Sequence, residues 1–161
     1  MSYIDTLIKN CNLAKEARPL GEIEVTVRKT EASDLASHLS KLDGIQKAVY
    51  IIEDLGENPE ETFLALSSYK GKKERACAKL NAPSNVMYVG SSTTGVKKRI
   101  SQHIGHGNKD TYALHLSHWF DGDYKVIVKQ YDVTDEVLQI IEDDLSYTLK
   151  PAFGKKGGNN K

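Results

Sequence analysis

Apolar residues recur at Ile4, Leu7, Ile8, Cys11 and Ala14, a helical spacing that Pro19 and Gly21 bring to an end. The pattern predicts an amphipathic helix at the start of the chain. The period then changes to two over Glu22 to Val27, with Ile23, Val25 and Val27 on one face, which predicts a strand. Ser33 to Leu42 has a polar start and spaced leucines and reads as a second helix. Ala48 to Ile52 is almost continuously apolar, as a strand covered on both faces is, and is expected at the centre of its sheet, ending in an acidic turn at Glu53-Asp54.

Asn58 before Pro59 supplies a helix cap and a tolerated first position, with Glu60 and Glu61 placed well against the helix dipole. This helix should run through Phe63, Leu64 and Leu66, break near Gly71, and give way to another helical stretch to Leu80. Pro83 and Asn85 then turn the chain into a second apolar strand, Met87 to Ser91. Beyond the Ser91 to Gly95 loop, Val96, Ile100 and Ile104 form the stripe of a helix that Gly105 and Gly107 stop. A short helix carrying Tyr112, Leu116 and Trp119 is expected next, then a turn at Asp121-Gly122-Asp123 and a strand from Tyr124 to Tyr131. The last helix should start near Thr134 and run to Leu149, with Pro151 as its stop; Leu138, Ile141, Leu145 and Leu149 make its core face. The fold class is therefore a small α+β domain with a central three-stranded, mainly antiparallel sheet flanked by helices. Residues 1–43 form an extension packed on a domain spanning 44–154, in which 57–82 is a helical insert, and 155–161 is a basic polar tail.

Length refines this picture only slightly, since 161 residues suit one domain with a real core. No apolar run approaches the roughly 20 residues that span a membrane, and residues 1–18 lack the basic start and apolar middle of a signal peptide, so a cytoplasmic location without a membrane partner is expected. Cys11 and Cys77 stand in no metal-ligand spacing and read as free thiols. Lysine plus arginine and aspartate plus glutamate number 22 each, which argues against a surface that is basic all over. The charges are nonetheless clustered, basic at 70–75, 97–99 and 155–156 and acidic at 53–54, 57–61 and 142–144. Each cluster alone reads as ordinary solvated surface; together they leave room for one basic face.

Candidate chemistry gathers on a few side chains. Arg99 and His103 lie one helical turn apart and should project together from one edge. Glu142 sits at the border of an apolar helix face, where a carboxylate is costly to desolvate without a partner; a metal ion or a basic residue would be a sufficient one. Tyr50 and Tyr88 lie on strands, where the bland fate of a tyrosine is to pack its ring and wet its hydroxyl. Gly90 marks either a bulge or strand end, or a place where substrate backbone comes close. The pairs His103/His106 and His115/His118 have a spacing that zinc uses, but His106 lies between glycines and His118 should face away from its neighbours' stripe, so ordinary surface histidines are the simpler reading. No glycine-rich phosphate cradle of the nucleotide-binding kinds is present.

Taken in order, Ala48-Val49-Tyr50, Tyr88-Val89-Gly90, Arg99-x-x-x-His103 and Glu142 resemble the GIY-YIG nuclease superfamily over roughly residues 44 to 154. The resemblance implies a metal-dependent DNA endonuclease that hydrolyses phosphodiester bonds. In it Glu142 would hold Mg²⁺, or Mn²⁺ in its place, and Arg99 would contact the scissile phosphate. Tyr50 would take the proton from the attacking water, with His103 or Tyr88 assisting through hydrogen bonds. Gly90, Lys97, Lys98, Lys155 and Lys156 are the expected nucleic-acid contacts. DNA is the expected substrate, with RNA left open, and a double-strand break would need a homodimer or a protein partner. Three departures favour an alternative, a catalytically inactive nucleic-acid-binding or protein-interaction module with the same fold. The first tripeptide is altered; 37 residues lie between Tyr50 and Tyr88 where members commonly have a short hairpin; and Gly154 stands where many members place asparagine, so that either Asn159 or Asn160 takes that role or the role is absent.

Overall fold

The computed structural model of the chain describes residues 1–155, without the side chains of residues 31–33. Among these residues the four apolar or alternating stretches become strands β1 (Gly21–Val27), β2 (Ala48–Asp54), β3 (Val86–Ser92) and β4 (Tyr124–Gln130). They form one antiparallel sheet in the order β1-β4-β2-β3. The continuously apolar β2 is central, and the three strands expected of the domain are joined at one edge by β1 from the N-terminal extension. That strand pairs with β4 from Gly21↔Gln130 to Val27↔Tyr124. The helices are α1 (Tyr3–Glu16), α2 (Leu35–Ser40, after a single 3-10 stretch), α3 (Pro59–Gly71), α4 (Val96–Ser101) and α5 (Asp135–Leu149). The fold class is thus α+β, a small antiparallel sheet flanked by helices.

Strand alternation divides the core into two layers. Val25, Ala48, Tyr50, Ile52, Tyr88, Val126 and Val128 face one layer, closed by Leu66 of α3, Ile100 of α4, Ile104 and Phe153. Val49, Ile51, Val89 and Ile127 face the other, closed by Val137, Leu138 and Ile141 of α5. Each such side chain contributes roughly 1.5–3 kcal/mol on burial, so both layers are needed to hold the sheet. The caps read from the sequence form: Asn58 accepts from the Glu61 amide ahead of Pro59, and Thr134 accepts from the Val137 amide.

Three expectations are corrected, the first being the acidic turn: β2 runs on through Glu53 and Asp54, whose backbones stay in the ladder opposite Lys125 and Tyr124 of β4. The insert is helical only over α3; Lys73 takes a left-handed conformation (φ 56°) and the chain continues irregularly. The reason is tertiary competition for backbone groups, because the Ala76 N–H donates to the Lys109 carbonyl at 2.7 Å, the Ala78 N–H to Ala113 at 3.1 Å and the Asn81 N–H to Ala152 at 2.8 Å. The helix expected to carry Tyr112, Leu116 and Trp119 shrinks to one 3-10 turn, Leu116–His118. His115 precedes it in a left-handed conformation, and the Trp119 indole donates to the Leu114 carbonyl at 2.6 Å. Helix α1 forms where expected, with a capping box at Ser2, and rests on α5 through Ala14, with Ala17 just beyond its end; it buries no residue fully and leaves Ile4 and Ile8 outward, 66% and 55% exposed.

Candidate active site

The outer edge of β3 is where the predicted residues meet. Tyr50 pairs across the sheet with Gly90, and Ile52 with Tyr88, so both tyrosines rise from the same face. Their rings stack with centroids 6.2 Å apart and planes 7° off parallel. Gly90 makes this possible: a Cβ there would overlap the Tyr50 hydroxyl and lie 2.9 Å from the Tyr88 ring. The strand runs through Gly90 in regular register, the irregularity falling between Ile52 and Glu53 instead. The space beside Gly90 is therefore filled by the protein's own phenols, and the substrate contact expected there is not what the glycine accommodates.

His103 is fully buried behind the two rings, 4.2 Å from Tyr88 by centroids. Its protonation follows from its partners. The Leu114 amide donates to Nδ1 at 3.2 Å, so in the neutral ring the proton sits on Nε2, which donates to the Tyr50 hydroxyl oxygen at 3.0 Å. Burial, then the positive charge of Arg99 and the neighbouring His115, holds the His103 pKa well below the ordinary value. The imidazole is accordingly a neutral donor that orients Tyr50 and has no free lone pair with which to take a proton from it.

Arg99 reaches over the tyrosines from α4. It donates to the Gln102 side chain at 2.9 Å, to the Tyr88 hydroxyl at 3.3 Å and to the Tyr112 carbonyl at 3.0 Å. Burial works against its charge, but the electrostatic pull of Tyr50 and Tyr88 outweighs that and raises its pKa. Burial likewise pushes both phenols up, most strongly at Tyr50, with Arg99 pulling the other way. Tyr50 is 1% exposed and Tyr88 7%, so the hydroxyl assigned by resemblance to the attacking water is the more enclosed of the two.

Glu142 approaches the same edge from the opposite layer. Its carboxylate accepts from Gln139 at 2.6 Å, and the Ser91 hydroxyl supports it. Burial raises its pKa; those two hydrogen bonds and the Arg99 charge lower it, while Asp143 adds to the rise. Arg99 is close enough to act electrostatically on Glu142 but spends the hydrogen bonds described above elsewhere. All five predicted catalytic residues thus lie in one constellation wrapped around the β3 edge.

The remaining predicted contacts scatter. Lys97 pairs with Asp43 at 2.6 Å, away from the tyrosines; Lys98 is exposed on α4; Lys155 is half-buried; and Lys156, like Asn159 and Asn160, lies outside the described residues. Gly154 has φ 100° and leaves no room for a side chain, since a Cβ would lie 2.7 Å from the Tyr88 ring. An asparagine could not stand there without displacing Tyr88. The residues that the sequence reading missed are the supports, Gln102 and Gln139, Ser91, and the Leu114 amide. Gln102 and Gln139 stand three positions from Arg99 and Glu142, a helical neighbour relation visible in the sequence. The Leu114 amide carries no sequence signal at all.

Glu142 and Ser91 put one carboxylate and one hydroxyl side by side, a pair of hard oxygens of the kind Mg²⁺ or Mn²⁺ takes when it keeps most of its waters. Among the described residues no group of three or more His, Cys, Asp or Glu side chains is arranged to hold a metal by itself. Three of the four histidines at zinc-like spacing are engaged with the protein: His103 as described, His115 Nε2 toward the Ala76 and Thr111 carbonyls at 3.0 and 2.9 Å, and His118 Nε2 at 3.2 Å from the Gly105 carbonyl. No helix among the described residues is long and apolar enough to cross a membrane. Compared with protein-family models, curated proteins and solved structures, the chain matches none.

Proposed function

We propose that the protein is a Mg²⁺-dependent endonuclease of GIY-YIG type that hydrolyses phosphodiester bonds in DNA. The observation that carries this reading is the convergence of Tyr50, Tyr88, Arg99, His103 and Glu142 on the β3 edge from β2, β3, α4, the turn that follows α4, and α5. A set of packing residues has no need to collect an arginine, a carboxylate and two phenols in one half-buried place, because each charge costs desolvation there.

The parts divide the work as follows. Arg99, permanently charged and planar, binds the scissile phosphate and neutralises charge that builds on its oxygens. Glu142, with the Ser91 hydroxyl beside it, holds the metal. When bound, Mg²⁺ supplies Lewis-acid stabilisation of the leaving oxygen, and Mn²⁺ can replace it. Tyr88, the less enclosed phenol and the one touching Arg99, accepts as phenolate the proton of the attacking water. The water oxygen bonds to phosphorus as the bond to the leaving oxygen breaks. Tyr50 and His103, hydrogen-bonded to each other, form the backing against which the Tyr88 ring packs; this exchanges the roles that resemblance alone assigns to the two tyrosines. Two free thiols fit a reducing cytoplasm as the place of action.

The test is cleavage by Tyr88→Phe and Tyr50→Phe. Tyr88→Phe should lose about 10²–10⁴-fold in rate, the range for a general base, and Tyr50→Phe distinctly less. The reverse order would return the base to Tyr50. Binding of DNA with no cutting by the parent protein would support the second reading, an inactive binding module, which the enclosure of Tyr50 favours.

A further inference from the structure

The insert between β2 and β3 has a place in this site. After α3 ends, the turn Lys72-Lys73-Glu74-Arg75 runs against the segment 107–113. The Ala76 N–H donates to Lys109, the Ala113 N–H donates back to Ala76 at 3.4 Å, and the Arg75 guanidinium donates to the Gly107 carbonyl at 3.2 Å. The buried imidazole of His115 stitches the same two segments by donating between Ala76 and Thr111. Tyr112 sits in the middle of this seam. Its own carbonyl is held by Arg99 and its neighbours are bonded on either side, yet the residue is 63% exposed. A backbone pinned this firmly beneath a bare aromatic ring is a preorganised surface, because little conformational freedom is left to lose when something stacks on it.

Charge limits what can lie there. Helix α5, which bears Glu142, also carries Asp135, Glu136, Asp143 and Asp144 and no lysine or arginine. A polyanion is repelled along that side. On the insert side Lys72 and Lys73 are exposed and Arg75 half-exposed around the single carboxylate Glu74, Asp110 beside Tyr112 is paired with Lys109, and Lys98 stands exposed next to Arg99. A strand whose phosphate rests on Arg99 therefore leaves toward the insert, across Tyr112.

We propose that Tyr112 is a stacking platform for an unpaired base next to the scissile phosphate, with Lys72, Lys73 and Arg75 as phosphate contacts. The substrate class is then DNA with single-stranded character at the cut, such as a flap, branch or gap. Intact duplex keeps its bases stacked on each other and offers no face to Tyr112. The inference rests on the nuclease reading for the position of the phosphate, but its readout is binding.

The experiment measures affinity of the full chain, in EDTA so that nothing is cut, for a short oligothymidylate, a flap substrate and a duplex of matched length. Tyr112→Ala should weaken binding to the first two by about tenfold, while Tyr112→Trp retains it, since a base stacks on any aromatic face. Replacing Lys72 and Lys73 together by alanine should flatten the dependence of log affinity on log salt by about one to two. Equal affinity of Tyr112→Ala and parent, or equal binding of intact duplex, overturns the proposal. Glu142-dependent cleavage alongside unchanged Tyr112→Ala binding would leave the nuclease reading standing and remove the platform. Tyr112-dependent binding without cleavage would do the opposite, and no binding of any nucleic acid removes both.

Discussion

Glu142 shows how a single carboxylate reports on its surroundings. Burial holds its folded pKa above the unfolded value, so its contribution to stability is fully present below about pH 4.3 and is lost as pH rises through the folded value. Glu142→Gln should therefore raise the unfolding midpoint in urea at neutral pH, and the gain should vanish in acid. A variant no more stable than the parent at pH 7 would mean that the charge is already compensated. Gly90 makes the complementary point about space. Gly90→Ala must push its Cβ into the Tyr50 hydroxyl and the Tyr88 ring, and by the usual cost of overpacking it should destabilise by about 1–3 kcal/mol in a denaturation experiment. Tyr88 adds a kinetic signature. Its pKa is raised by burial, so phenolate is scarce at neutral pH and the cleavage rate should climb with pH into the alkaline range. A rate flat from pH 7 to 9 would remove Tyr88 as the base.

At the scale of elements, the buried histidines join strand, helix and loop. The His103 and His115 pKa values are both held below the ordinary value of about 6.5, chiefly by burial. The unfolded chain thus takes up protons first as pH falls, and the stability these groups contribute is present above about pH 6.5 and lost as pH drops through their folded values. His103→Gln should show a shallower fall in thermal midpoint between pH 7 and pH 5 than the parent; equal slopes would count against a buried neutral imidazole. The elements themselves were largely legible. The unbroken apolar run of β2, the Asn58-Pro59 cap and the Thr134 to Leu149 periodicity each determine structure locally, and they formed where the pattern put them. Residues 72–82 and 107–119 were not legible in this way. Their conformation is set by backbone bonds between segments more than thirty residues apart, and local periodicity carries no record of those. The same holds for the site. Arg99, His103 and Glu142 could be paired with the tyrosines by order alone. That Tyr50 is sealed and Tyr88 less so depends on Gly90, Gly154 and the Leu114 amide meeting in space.

For the whole molecule, the sheet works as a wall between two chemistries. One face carries the stacked phenols, the neutral histidine and Arg99; the other carries acidic α5, and Glu142 is the point where the second reaches round to the first. A chain of zero formal net charge thus keeps its acidic helix on one face of the sheet and Arg99 on the other. The N-terminal extension contributes unevenly. Its strand completes the sheet and buries Val25 and Val27, whereas α1 lies outside the core. The most direct test of the account is cleavage of supercoiled plasmid and of labelled flap and duplex DNA in Mg²⁺ or EDTA, with Glu142→Gln as the matched control. Cutting that requires the metal, favours the flap and disappears in the variant is the predicted result. Cutting that persists in EDTA or in Glu142→Gln, or sound DNA binding with no cutting of any substrate, would contradict it.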